Sequence, residues 1–116
     1  MSSLRLLAAA GILALAAALP ATAATPKLTG TDGPGFTITL KKGSAKVTKL
    51  TAGKYTIVVN DKSNIHNFHL KGPRVNKLTS VGGTGTKTWT VTLKKGKYTY
   101  VCDPHAAVMK GSFTVT

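Results

Sequence analysis

Trp89-Thr90-Val91-Thr92-Leu93-Lys94-Lys95-Gly96-Lys97-Tyr98-Thr99-Tyr100-Val101-Cys102 is the stretch whose reading decides the fold. Trp89, Val91 and Leu93 alternate with threonine, Lys94-Lys95-Gly96 supplies turn residues, and Tyr98, Tyr100 and Cys102 then share one face of a second run. Apolar residues at period two mark a half-buried strand, because successive side chains point to opposite faces of a sheet. The stretch reads as two strands joined by a hairpin turn.

The same alternation recurs on either side. Phe113 and Val115 alternate with Ser112, Thr114 and Thr116, and upstream Phe36, Ile38 and Leu40 alternate with threonine before Lys41-Lys42-Gly43-Ser44 turns the chain. Tyr55, Ile57 and Val59 share a face, as do His66, Phe68 and Leu70, which places His66 inward and His69 outward and solvated. Lys46 to Leu50 is a weaker strand, and Arg74 to Gly85, closing in Gly82-Gly83-Thr84-Gly85, reads as loop. That glycine run precedes no helix and has no nucleotide-motif spacing, so it is not a phosphate cradle. Leu50 to Val59 and Leu93 to Cys102 resemble each other at an offset of 43, so Cys102 takes the place of the inward Val59. Strands without helical periodicity predict an all-β sandwich or barrel of about seven or eight strands.

Residues 1–24 read as a secretory signal: Arg5, an apolar run from Leu6 to Leu19, and small residues for cleavage after Ala23 or Ala24. The run is too short to span a bilayer comfortably, so no integral membrane segment is expected after cleavage. Residues 25–35, rich in Thr, Gly, Pro and Lys, are expected to be a flexible lead-in to one domain over 36–116. The protein is expected to be exported, periplasmic or extracellular, and a monomer.

Sixteen Lys and Arg stand against three acidic residues, a formal charge of +13, which loss of Arg5 lowers by one to +12. Such a surface attracts acidic partners, and it also serves simple solubility. Nucleic acid is excluded as a partner, since scattered lysines and few aromatics make no basic stripe with stacking platforms.

The single cysteine cannot form an internal disulfide. Cys102-Asp103-Pro104-His105-Ala106-Ala107-Val108-Met109 puts it within eight residues of a histidine and a methionine. Thiolate, imidazole and thioether together suit copper, and two histidines with one cysteine and a weak axial methionine form the blue-copper arrangement. His66, inward on a distant strand, is the candidate for the second imidazole. Pro104 restricts the loop. Each residue also has a plainer reading: Cys102 as a small buried hydrophobe, His105 as a surface histidine, Met109 as a core plug, His66 as a satisfied core histidine.

Asn64-Ile65-His66-Asn67-Phe68 together with Cys102 to Met109 resembles the cupredoxin family of small blue copper proteins, and the likeness covers roughly Phe36 to Thr116. The resemblance implies a Greek-key β-sandwich holding one copper ion, with His66, Cys102 and His105 as equatorial ligands and Met109 as axial ligand. It implies that Asn67 holds the ligand loop by hydrogen bonding. It further implies a one-electron carrier, not an enzyme, in which His105 is the exposed edge for electron exit and Ala106, Ala107 and Val108 form a docking rim for a redox partner protein. Lysines would steer a partner with an acidic docking surface. Three residues separate His105 from Met109, a spacing between those of the plastocyanin and amicyanin loops. Asp103 beside the cysteine is unusual, and an unscreened charge there would favour oxidised copper.

Three other functions compete. A Cys-His nucleophile pair lacks an orienting partner and oxyanion donors. A copper store or chaperone would use the same ligands, and a basic adhesive module would use none of them.

Overall fold

The computed structural model describes residues 10–12 and 24–116, and the expected signal segment lies almost wholly outside the described residues. The described residues form ten strands: β1 (Lys27–Asp32), β2 (Ile38–Lys42), β3 (Ala45–Lys46), β4 (Lys49–Leu50), β5 (Gly53–Asp61), β6 (His69–Gly72), β7 (Val75–Leu78), β8 (Gly85–Leu93), β9 (Gly96–Val101) and β10 (Lys110–Val115). Eight have four residues or more, as expected, and β3 and β4 have two each. One sheet runs β3-β2-β1-β5-β8 and the other β4-β10-β9-β6-β7. The described residues contain no α-helix.

The inward faces meet as the alternation requires. Tyr55, Ile57, Val59, Val91 and Leu93 from the first sheet are buried, as are Tyr98, Tyr100, Phe113 and Val115 from the second. Aromatic rings build the second sheet's side of the core: Phe68 stacks on Tyr100 at 5.6 Å and Tyr98 on Phe113 at 5.3 Å.

The expected hairpin at Lys94-Lys95-Gly96 is an arch instead. β8 pairs with β5, whereas β9 pairs with β6 and β10, so the chain changes sheet at this turn. The physical reason is that both runs carry large apolar faces, which are buried by facing each other across the core. Tyr98 secures the arch: its hydroxyl accepts from the Lys94 amide at 2.9 Å and donates to the Pro73 carbonyl at 2.9 Å. The echo at Tyr55 is similar, with its hydroxyl donating to the Thr51 carbonyl at 2.7 Å.

The flexible lead-in expected over 25–35 is corrected: β1 lies at the centre of its sheet, antiparallel to β2 and parallel to β5. Its buried face is Leu28, Gly30 and Asp32, only one of them a large apolar residue, so the alternation carries no hydrophobic signal. Gly30 is needed there, because a Cβ would sit 2.9 Å from the Phe68 ring. Residues 74–85 are likewise not all loop. Val75–Leu78 forms edge strand β7, whose three other residues are exposed and polar or outward-facing. The weak strand over 46–50 divides into β3 and β4, in opposite sheets.

Asp32 and Asp61 are register partners on β1 and β5, and both are buried. No donor reaches the Asp32 oxygens except a proton shared with Asp61. Burial first, then that hydrogen bond and the repulsion from Asp61, push the Asp32 carboxyl up from 3.8 to about 7. The folded state therefore holds a proton that the unfolded chain has released, and this contribution to stability is lost as pH rises from about 4 through about 7.

Two outcomes are expected. A chain beginning at Phe36 lacks the central strand and should show no cooperative unfolding transition by circular dichroism. Asp32→Asn, which cannot ionise, should gain in denaturation midpoint relative to the native chain as pH is raised from 5 to 8; a constant difference would refute the shared proton.

Candidate metal centre

Two connections at one end of the sandwich build the site. The first, between β5 and β6, is shaped by short polar side chains: the Ser63 amide donates to Asp61 Oδ1 at 3.2 Å, the Ile65 amide to Ser63 Oγ at 3.3 Å, and the His66 amide to the Ser63 carbonyl at 3.4 Å. It delivers His66, Asn67 and Phe68 in sequence, all buried, and strand pairing begins only at His69. The strand expected over 65–70 thus begins four residues later, at His69, and runs on to Gly72.

The second connection joins β9 to β10. Cys102 donates its amide to the Met109 carbonyl at 3.0 Å, and Asp103–His105 forms a single 3-10 turn with Pro104 near its start. Proline there loses no hydrogen bond and its φ is already set. The Met109 amide donates back to the His105 carbonyl at 2.9 Å, which closes the loop with Met109 fully buried.

These segments bring three donor atoms together. His66 Nδ1 lies 3.1 Å from His105 Nδ1, and Cys102 Sγ lies 3.7 Å and 3.5 Å from the two nitrogens. Atoms bonded to one metal at roughly 2.0–2.3 Å, the range for imidazole and thiolate on zinc, sit about 3–4 Å apart at trigonal to tetrahedral angles. The triangle thus has the size of a coordination sphere before any ion is added. Its soft, mixed nitrogen and sulfur donors suit copper.

Phe36 completes the walls. Its ring meets His66 edge-on at 5.1 Å and His105 at 5.0 Å, yet the residue is 60% exposed. It is not the inward strand residue that the alternation predicts, because β2 begins two residues later. On the other side Gly33, at φ +71°, packs against the His66 ring, where a Cβ would come within 3.3 Å. His66 Nε2 is buried without a hydrogen-bond partner, so packing rather than a polar tie orients this ring.

Asn67 joins the two connections. Its Oδ1 accepts from the Asp103 amide at 2.8 Å, its Nδ2 donates to Asp103 Oδ2 at 2.8 Å and to the Thr79 carbonyl at 3.2 Å, and its own amide donates to Cys102 Sγ at 3.4 Å. Thr79, in the segment read as loop, also pairs with the Phe68 backbone through its amide and Oγ1.

His69 is not solvated. It is buried, with Nδ1 2.8 Å from Asp103 Oδ1 and Nε2 2.6 Å from Asn76 Oδ1. Desolvation alone would raise the Asp103 carboxyl. Hydrogen bonds from Asn67 and His69 and the attraction of His69 and Lys71 outweigh it and hold the group below the usual carboxylate value. The Asp103 charge is therefore compensated, contrary to the unscreened case.

Residues 35–116 match the model of a family described as copper binding proteins, plastocyanin/azurin family. Among solved structures, reduced rusticyanin is similar at TM-score 0.62 and 20% identity, over 82% of this chain and 81% of that one. Rusticyanin from Thiobacillus ferrooxidans is similar at TM-score 0.56 and 20% identity, over 82% and 79%. Dithionite-reduced auracyanin from Roseiflexus castenholzii gives 0.55 and 20%, over 81% and 99%. At such identities the likeness establishes the fold. No curated protein sequence matches the chain.

Asn67→Ala removes partners from buried groups on both connections, each costing about 1–3 kcal/mol when orphaned. The denaturation midpoint of the metal-free protein should fall accordingly; an unchanged midpoint would mean that the carboxamide does not clamp the site.

Proposed function

Because the chain belongs to the plastocyanin/azurin family of copper-binding proteins, we propose that it is an exported one-electron carrier with one type 1 copper. In this reading His66, Cys102 and His105 are the equatorial ligands and Met109 the axial one. The observation that carries it is the convergence of two imidazole nitrogens and a thiol sulfur, within 3.1–3.7 Å of one another, from segments 36 residues apart.

Copper in such a donor set supplies reversible cycling between Cu(I) and Cu(II). The residues supply the rest. Cys102 and Met109 sit on backbone paired across a closed loop, and His66 is held by rings and backbone on both sides, so the cage suits both oxidation states with little movement. Deep burial keeps Cys102 and His66 from bulk water, while His105 is partly exposed. The Cys102 amide and carbonyl are both engaged within the loop, and the thiol also accepts from Asn67.

The surface around His105 fits a docking role. Ala106, Ala107 and Val108 are exposed, and Phe36 and Ile65 extend the apolar rim. Outside it the basic surface would speed the approach of an acidic partner. No helix among the described residues is long and apolar enough to cross a membrane.

Addition of Cu(II) to the mature protein should produce an intense visible thiolate-to-copper band and rapid, ionic-strength-dependent electron exchange, and Cys102→Ser should abolish the band. A colourless copper-loaded protein would overturn the ligand assignment. A coloured protein that exchanges electrons slowly would instead be a store.

A further inference from the structure

We propose that the open corner of the sandwich between β2, β3 and β10 is a binding site for a phosphate group, with the Tyr100 phenol as a neutral donor at its floor and Lys41, Lys46 and Lys110 as charges at its rim. The site uses none of the copper ligands, so the inference stands apart from the metal reading.

The corner is open because the edge strands are short. β3 covers β2 only at Lys41 and Lys42, and β4 covers β10 only at Thr114 and Val115. The first residues of β2 and of β10 are therefore bare edges in opposite sheets. Between them lies a cleft of about 170 Å³ lined by Ile38, Thr39, Lys41, Lys46, Tyr100 and Lys110. One water takes up about 30 Å³ of liquid, so the cleft has room for a small anion.

Tyr100 makes this more than a basic surface. The residue is 1% exposed and its ring stacks on Phe68. It still reaches the cleft, because Gly111 lies beside the outer end of the ring, where a Cβ would overlap the hydroxyl. Of the chain's three tyrosines, two donate to carbonyls: Tyr55 to Thr51 and Tyr98 to Pro73. The Tyr100 oxygen instead accepts from the Leu40 backbone amide. That bond sets the hydroxyl between Thr39 and Lys41, at the floor of the cleft, and among the described residues no acceptor takes its proton. A phenol has one proton to give, and a buried donor without an acceptor is costly.

The remaining donors fix the class of ligand. Lys41 and Lys46 are register partners on adjacent strands, and like charges placed opposite each other repel. Lys110 adds a third charge from β10, and Thr39 adds a hydroxyl. None of the chain's three aspartates lines the cleft. An entering anion therefore meets donors from several directions and no repelling carboxylate. Arginine, whose planar fork suits a carboxylate, is absent from the lining, whereas lysine binds phosphate as a point charge. A tetrahedral phosphate relieves the lysine repulsion and supplies the acceptor that the phenol lacks.

Titration of the copper-free mature protein with sodium phosphate at constant ionic strength, followed by amide chemical shifts, tests this. Saturable shifts are expected at Leu40, Lys46, Tyr100 and Gly111. Tyr100→Phe keeps the ring and removes the donor, and should weaken binding about tenfold, as loss of a hydrogen bond to a charged group does. Lys41→Gln, an exposed change that leaves the core intact, should weaken it too, whereas Lys54→Gln, outside the cleft, should not. Glycerol phosphate identifies the source: tighter binding than the inorganic ion marks a phosphate carried on a larger molecule, and weaker binding marks the free anion. Equal losses from Lys41→Gln and Lys54→Gln, or shifts that never saturate, would leave only a diffuse basic surface and overturn the site. Acetate binding as tightly as phosphate would overturn the ligand class, and undiminished binding by Tyr100→Phe the role of the phenol. Should Tyr100→Phe fail to fold, the two lysine variants still decide.

Discussion

Two loops that lie 36 residues apart in the chain meet because one buried carboxamide joins them. The side chain of Asn67 accepts from the Asp103 amide and donates to the Asp103 carboxylate and the Thr79 carbonyl. A carboxamide is suited to this, since it accepts and donates in one plane. Without it the buried Asp103 amide and the Thr79 carbonyl would lose their partner, and the remaining links from the His66 side to the Cys102 turn would be the Asn67 amide on the sulfur and the His69 ring on Asp103. The donor triangle is thus held by groups that are not donors, and preorganisation of this kind lets a metal bind without first ordering its cage.

The sandwich determines what that clamp can hold. β5 and β9 belong to opposite sheets, and each ends at the same pole, where β5 runs into the His66 connection and β9 into the Cys102 turn. The chain's echo of Leu50 to Val59 in Leu93 to Cys102 has a structural counterpart: both strands begin at a glycine of positive φ and both carry a tyrosine that bonds back across the turn. The cysteine takes the buried end position that valine takes in the other sheet. A sulfur placed there enters the site from a rigid strand end, and the partly exposed His105 comes from the turn beyond it.

The grouping of His66, Cys102 and His105 was legible because rare residue types carry recognisable metal chemistry, whereas Asn67 was reached only through the family resemblance, since the alternation set it on the face opposite His66. Most strands were legible through large apolar residues at period two. β1 was not, since its buried face is leucine, glycine and aspartate. Phe36 was assigned to a strand face because it continues an alternation, but the strand stops short of it and leaves the ring free to cover two histidines. His69 was placed outward by parity counted along a strand that in fact begins at His69 itself. Thr79 offered no signal: a threonine in a polar stretch is unremarkable until the fold sets it beside Phe68 and Asn67.

The chain's three acidic residues show why formal charge misjudges this pole. Asp32 has no donor other than the proton it shares with Asp61, so burial pushes its carboxyl up, whereas Asp103 has donors from Asn67 and His69 that hold its carboxyl down. The same side chain is pushed in opposite directions by what surrounds it. With Asp32 raised to about 7, the buried pair contributes close to one negative charge rather than two below neutral pH. The formal count of +13 therefore understates the positive field that an approaching molecule meets. Since the lysines face solvent while every carboxylate is buried or paired, the field carries no negative feature to orient a cationic partner. For the proposed electron carrier, complementarity would then come from acidic groups on a redox partner, and orientation from the apolar rim of Phe36, Ile65 and Val108 around His105.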